Sequence, residues 1–345
     1  MIIGCDFHPS WQQIAWLDTE SGETGQQKLV HATGDAEQFY RRLGAPVLIG
    51  MEATGNSQWF TELVEDLGHV IWMGDAAQIR ASYVRKQKTD KRDAAHILRL
   101  VVESRFPRLW TPDREQRDLR QLVLHRHKLV EIRSRVKNEL QHLSMNKGMQ
   151  KKRRLWSQAG MQLLRELPLK AWASCRREDL LGLLATLNQQ IGTLDTAVQK
   201  AAEENPQAKL LMTQPGVGPN TALAFVLTIG DVSRFGRGKQ VASYLGLIPR
   251  EESSGGRQKL GAITKQGNRI LRSLLVEAAQ TAVRLDPQFR KQYLHRCHQK
   301  PKGVAKVAAA RKLAVRLYWM LRSQVGYPEI VRIESSPRVP RVGAS

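Results

Sequence analysis

Apolar residues in the first hundred positions fall in short blocks separated by polar corners, and their spacing changes from two to between three and four along the chain. Strands are predicted at Ile2–Asp6, Gln12–Leu17, Gln26–His31, Val47–Met51 and His69–Met73. Turn signals at His8-Pro9-Ser10 and Ser21-Gly22 separate the first three. Two helices intervene, Asp35–Leu43 and Ser57–Leu67, the second with Trp59, Phe60, Leu63, Val64 and Leu67 on one face. A further helix is expected from Asp90 to Arg105, with Ile97, Leu98, Val101 and Val102 as its buried stripe.

Three strands, helix, strand, helix, strand is the order of an RNase H-like α/β domain, which is predicted over residues 1–110. From Arg114 to Asn205 long charged helices replace it. Leu119, Leu122, Val123, His127, Val130, Ile132 and Val136 give a broken helical stripe, a second helix is expected over Leu180–Glu204, and a helical hairpin or coiled-coil arm over 111–206 is the simplest account. Such an arm serves dimerisation alone, or dimerisation together with phosphate contact. A mainly α-helical domain is predicted over 207–327, and residues 328–345 read as a disordered tail.

Charge changes the picture more than composition does. The net charge is +22, yet residues 1–80 hold four Lys/Arg against 11 Asp/Glu, so the rest of the chain carries 50 basic against 21 acidic residues. An acidic leading domain joined to a basic body points to a metal-binding unit on a phosphate-binding protein, and so to nucleic acid. No apolar run approaches the ~18 residues of a membrane span, and Met1 onward shows no secretory signal pattern. Cys5, Cys175 and Cys297 are far apart and suggest neither a disulfide framework nor a zinc site, as expected of a cytoplasmic protein.

Against that background four acids stand out. Asp6 closes the first apolar run, Glu52 closes the run Val47–Met51, and Asp90 and Asp93 lie three residues apart at the head of a helix. Converging carboxylates repel one another unless a cation or proton compensates, and Mg²⁺ prefers oxygen ligands. Two such ions about 4 Å apart serve phosphodiester chemistry. Taken singly, Asp6 also reads as a strand-end cap, and Asp90 and Asp93 as an ordinary helix N-terminus.

The basic body holds the other candidates. Pro215-Gly216-Val217-Gly218-Pro219 has the form of a helix-hairpin-helix turn, in which Gly216 and Gly218 let backbone N–H groups approach a phosphate. Cations for nucleic-acid contact are Lys151, Lys152, Arg153 and Arg154 in a turn of the arm, and Arg250, Arg257, Lys259, Lys265 and Arg269 around a Ser253-Ser254-Gly255-Gly256 loop. A serine there is either a linker residue or a nucleophile for a phosphate held by Arg250 and Arg257.

The pieces Gly4-Cys5-Asp6, Met51-Glu52-Ala53-Thr54-Gly55 and Lys88-Thr89-Asp90-Lys91-Arg92-Asp93-Ala94 resemble the catalytic signature of the DEDD transposases of insertion-sequence family 110. Gln214–Gly218 and Gly246-Leu247-Ile248-Pro249-Arg250 through Gly256 resemble that family's C-terminal domain, so that the likeness spans about residues 1–290. The resemblance implies a RuvC-like domain whose Asp6, Glu52, Asp90 and Asp93 hold Mg²⁺, and a DNA recombinase acting on donor and target duplexes. It further implies a covalent serine–DNA intermediate, at Ser253 with Ser254 the fallback, and a noncoding bridge RNA as guide. A homo-oligomer, dimer or tetramer, is expected, and the site is expected to be composite because the serine lies 160 residues beyond Asp93; completion within one chain or in trans by a neighbouring protomer is open. Two other readings are open: a structure-specific endonuclease using metal-activated water, and a non-catalytic nucleic-acid-binding protein.

Overall fold

The computed structural model describes residues 1–83, 89–149, 154–253 and 257–335, which divide into two compact units, Met1–Thr111 and Pro112–Ser345. The first unit is a five-stranded mixed sheet carrying helices. Strands β1 (Ile2–Phe7), β2 (Trp11–Leu17) and β3 (Thr24–Val30) form an antiparallel meander, followed by α1 (Asp35–Arg41), β4 (Leu48–Glu52), α2 (Gln58–Asp66), β5 (Val70–Gly74), α3 (Ala76–Ala81) and α4 (Asp90–Val102). The strand order is β3-β2-β1-β4-β5, with β4 parallel to both β1 and β5. Every predicted strand is present to within two residues at either end; the short α3, capped by Asp75 accepting from the Ala77 and Gln78 amides, was not foreseen.

One face of this sheet packs on α1 and α2 through Ile3, Cys5, Tyr40, Ile49, Met51, Phe60 and Val64. Helix α4 covers the other face, and glycine lets it do so. Gly4 and Gly50 are neighbours across the β1–β4 pair. A Cβ on Gly4 would come under 3.0 Å from the Ala94 carbonyl oxygen and the Leu98 amide; one on Gly50 would meet the Val101 side chain. The helix therefore lies with its backbone nearly on β1. Its buried face runs through Asp93, Ala94, His96, Ile97, Leu100 and Val101. The expected stripe is thus turned: Ile97 and Val101 are buried, but Val102 is exposed, because the close approach at Gly4 brings Asp93 and Ala94 onto the sheet instead.

The second unit is helical. Two long helices, α5 (Arg114–Met145) and α7 (Ala171–Glu204), pack along one another, with a 3₁₀ turn at Arg154–Trp156 and α6 (Gln158–Arg165) between them. The second long helix begins nine residues before the predicted Leu180. Val136, Leu140, Leu155, Leu164, Leu184 and Leu187 form a small core at this end of the pair. Ile132, expected in the stripe, is exposed, whereas Val123 and Val136 are buried.

The chain continues through α8 (Pro206–Met212), α9 (Pro219–Ile229), α10 (Gly238–Tyr244), a two-stranded ribbon of β6 (Pro249–Glu251) and β7 (Leu260–Ile263), α11 (Arg269–Leu285), α12 (Pro287–Gln299), α13 (Lys302–Ser323) and α14 (Tyr327–Ser335). Helix α9 is buried along almost its whole length, and Arg120 of α5 donates to the Leu227 carbonyl at its C-terminal end, at 3.0 and 2.5 Å. The chain from residue 328, expected as a tail, is helical through Ser335 because Ile330 is buried in the unit's core. Arg316 of α13 is wholly buried and pairs with the buried Asp286 at 2.9 Å. Burial opposes ionisation of Asp286, but the Phe289 amide and the Arg316 guanidinium hold its carboxyl below the ordinary range.

Two stability predictions follow from these contacts. Gly4→Ala is expected to cost about 2–3 kcal/mol through forced separation of α4 from β1, read as a fall in the denaturant midpoint of the first unit. Arg316→Ala leaves Asp286 buried without its partner and should cost about 3–5 kcal/mol, whereas the paired change Arg316→Met with Asp286→Asn recovers much of that loss.

Candidate active site

Side chains two apart on a strand share a face, so Asp6 lies on the face of Gly4 and Glu52 on that of Gly50. The last registered pair of β1 and β4 is Cys5 with Met51, so Asp6 and Glu52 follow it as neighbours on adjoining parallel strands. This is the face that α4 covers, and Asp90 and Asp93 occupy the first turn of α4, whose N-cap Thr89 accepts from the Arg92 amide at 3.4 Å. All four acids are therefore brought to one end of the α4–β1–β4 layer.

The electrostatics record their proximity. Burial pushes the Asp6 carboxyl up; His8 counteracts this, and the charges of Asp93 and Asp90 add to it. Asp93 is buried and accepts a 2.8 Å hydrogen bond from the Tyr83 hydroxyl. That hydroxyl is pushed well up by burial and by its bond to Asp93, with the charges of Asp93, Asp6 and Glu52 all contributing. Tyr83 packs against His96 with the rings tilted by 31° and their centroids 4.2 Å apart, one turn along α4 from Asp93. His96 contacts the Ser82 hydroxyl at 2.8 Å and accepts from Arg99 at 2.9 Å; burial first and Arg99 second push its pKa down.

His8, in the β1–β2 corner, joins the acids. Its Nε2 lies 3.2 Å from Asp6 Oδ2 and 3.8 Å from Asp90 Oδ1. Ligand atoms of Asp6, His8 and Asp90 all lie within 4.8 Å of one another, a separation that suits donors around one cation. The donors are mainly hard oxygens, and Asp6 is raised by burial first, with smaller contributions from the charges of Asp93 and Asp90, so the set fits a divalent metal ion. His8, Tyr83 and His96 were not picked out from sequence. His8 and His96 carried a signal, an imidazole two residues beyond Asp6 and another one helical turn beyond Asp93, but Tyr83 meets Asp93 only through the placement of the chain after α3 against α4.

The other candidate residues belong to the second unit. Ser253 is exposed at the end of the β6–β7 ribbon; its Oγ donates to Glu251 Oε1 at 2.7 Å and accepts from the Lys259 amide at 3.2 Å. Ser254, Gly255 and Gly256, and Lys151, Lys152 and Arg153, lie outside the described residues. Arg154, Arg250, Arg257, Lys259, Lys265 and Arg269 are all exposed, and Arg269 reaches Glu131 at 3.4 Å. Gly216 has φ 88°, and a Cβ there would strike the backbone of Ala278 and Ala282 in α11, so packing already requires glycine; Gly218 is exposed at the N-cap of α9. Residues 287–328 add ten Lys/Arg without one Asp or Glu, with Arg290, Lys291, Arg296, Lys300 and Lys302 exposed.

Comparison with known proteins agrees with this architecture. A DEDD transposase model of the IS110 group matches residues 3–144, and the model described as "Transposase IS116/IS110/IS902 family" matches residues 208–294. A probable family 20 transposase of Pseudomonas aeruginosa is 30% identical over 332 residues, covering 93% of this chain and 96% of its own. The transposase for insertion sequence element IS1111A of Coxiella burnetii is 29% identical, over 82% of this chain and 78% of its own. A pilin gene-inverting protein of Moraxella bovis is 30% identical, over 69% of this chain and 67% of its own.

The class these findings define is that of the insertion-sequence transposases, enzymes of DNA recombination. This chain belongs to the IS116/IS110/IS902 transposase family. Among the described residues no helix is long and apolar enough to cross a membrane.

The raised Asp6 has a measurable consequence. A carboxyl whose folded pKa lies above its unfolded value makes the fold bind more protons than the unfolded chain, so its contribution to stability falls as pH rises through that window. Asp6→Asn is therefore expected to raise the metal-free melting temperature at pH 7, and the gain should disappear at a pH low enough to protonate Asp6 in the parent. A gain that persists unchanged at acid pH would exclude charge repulsion as its origin.

Proposed function

We propose that the protein is a Mg²⁺-dependent, RNA-guided DNA recombinase that cuts and rejoins strands through a serine–DNA ester, with an RNase H-like (RuvC-like) catalytic domain in its first unit. The observation that carries the reading is the meeting of carboxylates from β1, β4 and the head of α4 in a chain of this family. The strand order β3-β2-β1-β4-β5, with β2 antiparallel to the rest, supports the RNase H-like assignment.

In this reading Asp6, Glu52, Asp90 and Asp93 hold the metal and through it the scissile phosphate. When bound, Mg²⁺ supplies neutralising charge for the phosphate and the leaving oxygen. The chain's own residues do the rest. Tyr83 and His96 orient the buried Asp93. Ser253 is the nucleophile: its Oγ forms a bond to phosphorus, the bond from phosphorus to a sugar oxygen breaks, and the freed sugar hydroxyl takes a proton. Glu251, already accepting from Ser253, is placed to receive the serine proton. The exchange conserves the number of phosphoester bonds, so rejoining needs no added energy source.

The exposed cations Arg154, Arg250, Arg257, Lys259, Lys265 and Arg269, together with the turn at Gly216 and Gly218 and the basic segment Lys151–Arg153, are the proposed contacts to donor and target DNA and to a noncoding bridge RNA. The helical pair α5–α7 is proposed as the means of assembly into a homo-oligomer.

The test is a denaturing gel of trapped reactions with labelled DNA and co-purified RNA. A protein–DNA adduct is expected in the parent, lost in Ser253→Ala, and reduced at least about 10³-fold in rate by Asp6→Asn. An adduct that survives Ser253→Ala but not Ser254→Ala moves the nucleophile by one residue. Cleavage to free ends with no adduct, unchanged by either serine substitution, identifies water as the nucleophile. Preparations active without RNA would overturn the guide.

A further inference from the structure

We propose that His8 is itself a ligand of the cation held at the acidic site, and that its imidazole biases the site toward Mn²⁺ over Mg²⁺. The inference rests on the reading of Asp6 and Asp90 as cation ligands and adds a residue and a metal preference to it.

The geometry is that of a donor set. Neighbouring ligands on an octahedral ion with bonds of about 2.1 Å stand about 3 Å apart, and opposite ones about 4.2 Å. His8 Nε2 lies 3.2 Å from Asp6 Oδ2 and 3.8 Å from Asp90 Oδ1, and the three atoms fall within 4.8 Å of one another. The imidazole is also held independently of the carboxylates. Its backbone N–H donates to the Trp11 carbonyl at 2.9 Å, closing the β1–β2 corner, and its ring stacks on the Trp11 indole with centroids 4.1 Å apart at 26°. On its other side in sequence stands Pro9, which restricts the backbone at His8 to extended conformations. A side chain positioned by a turn and a stack is pre-organised to offer a lone pair.

The chemistry of the donor decides the preference. Mg²⁺ binds oxygen almost exclusively and keeps its waters, whereas Mn²⁺ accepts a mixed set of carboxylate and imidazole. A site of carboxylates alone would discriminate little; a site with His8 gains for Mn²⁺ a bond that Mg²⁺ uses poorly. The competing role for His8 is that of a cation in its own right, an imidazolium neutralising Asp6 when no metal is bound. In that case an arriving metal would have to displace it, and removing His8 would tighten metal binding. The two roles therefore predict opposite signs.

The experiment is Mn²⁺ titration of the full-length protein followed by electron paramagnetic resonance, with pulsed measurements for nitrogen coordinated to the bound ion and Mg²⁺ affinity read by competition. The parent is expected to show ¹⁴N modulation from a directly bound imidazole. His8→Ala should abolish that modulation and weaken Mn²⁺ about tenfold or more, with Mg²⁺ affinity changed less than about threefold. His8→Gln, should His8→Ala fold poorly, keeps an oxygen donor at the position and should retain most Mn²⁺ affinity while losing the nitrogen signal. Bound Mn²⁺ without nitrogen modulation, or equal or tighter binding in His8→Ala, overturns the role of His8 and leaves the acidic site standing. Mn²⁺ binding untouched by Asp6→Asn would instead overturn the acidic-site reading, and this inference with it.

Discussion

The contact on which the first unit depends is the near-touching of two backbones, helix α4 against strand β1 at Gly4. No side chain larger than hydrogen fits between Gly4 and the Ala94–Leu98 turn, and Gly50 clears the same space on β4. That contact sets the height of the helix above the sheet. At that height the first turn of α4 stands level with the ends of β1 and β4, so that Asp93 is buried beside Asp6, next to last in β1, and Glu52, the last residue of β4. With an alanine layer in between, as in ordinary helix–sheet packing, the helix would ride farther out and the carboxylates would separate.

The closeness has a cost that the structure carries openly. Burial and the charges of Asp90 and Asp93 raise the Asp6 carboxyl, His8 counteracts them, and the Tyr83 hydroxyl donates to Asp93. The repulsive groups are held together beside a sheet core, from Ile3 to Val64, that is apolar and well buried. The second unit shows the opposite use of a buried charge. Arg316 pairs with Asp286, and the Asp286 carboxyl is held down rather than up.

The five strands were legible because each is a short run of strand-forming residues bounded by turn signals, with β1 and β4, covered on both faces, reading as nearly continuous apolar runs. The acids were legible because each ends an apolar run or begins a helix, positions readable one element at a time. Residues whose meaning is relational were not. Ile132 sits in a helical stripe by spacing, yet it is exposed, since the partner helix α7 covers only part of that stripe. Val102 was expected inward and lies outward because Gly4 turned α4. Gly216 read as a phosphate turn, but α11 packs so closely against it that its lack of a side chain already has a structural cause.

The sequence by itself determined the five strands, the acidic candidates and the separation of an acidic segment from a basic body, because propensity, periodicity and charge are local properties. Only the tertiary structure decided that the Asp6 and Glu52 strands adjoin, that Tyr83 and His96 stand behind Asp93, and that His8 reaches both Asp6 and Asp90. Those relations join residues up to 82 positions apart or turn on which way a corner folds. Distance in space between elements is set by how closely two backbones can approach, and that is a property of the pair rather than of either segment.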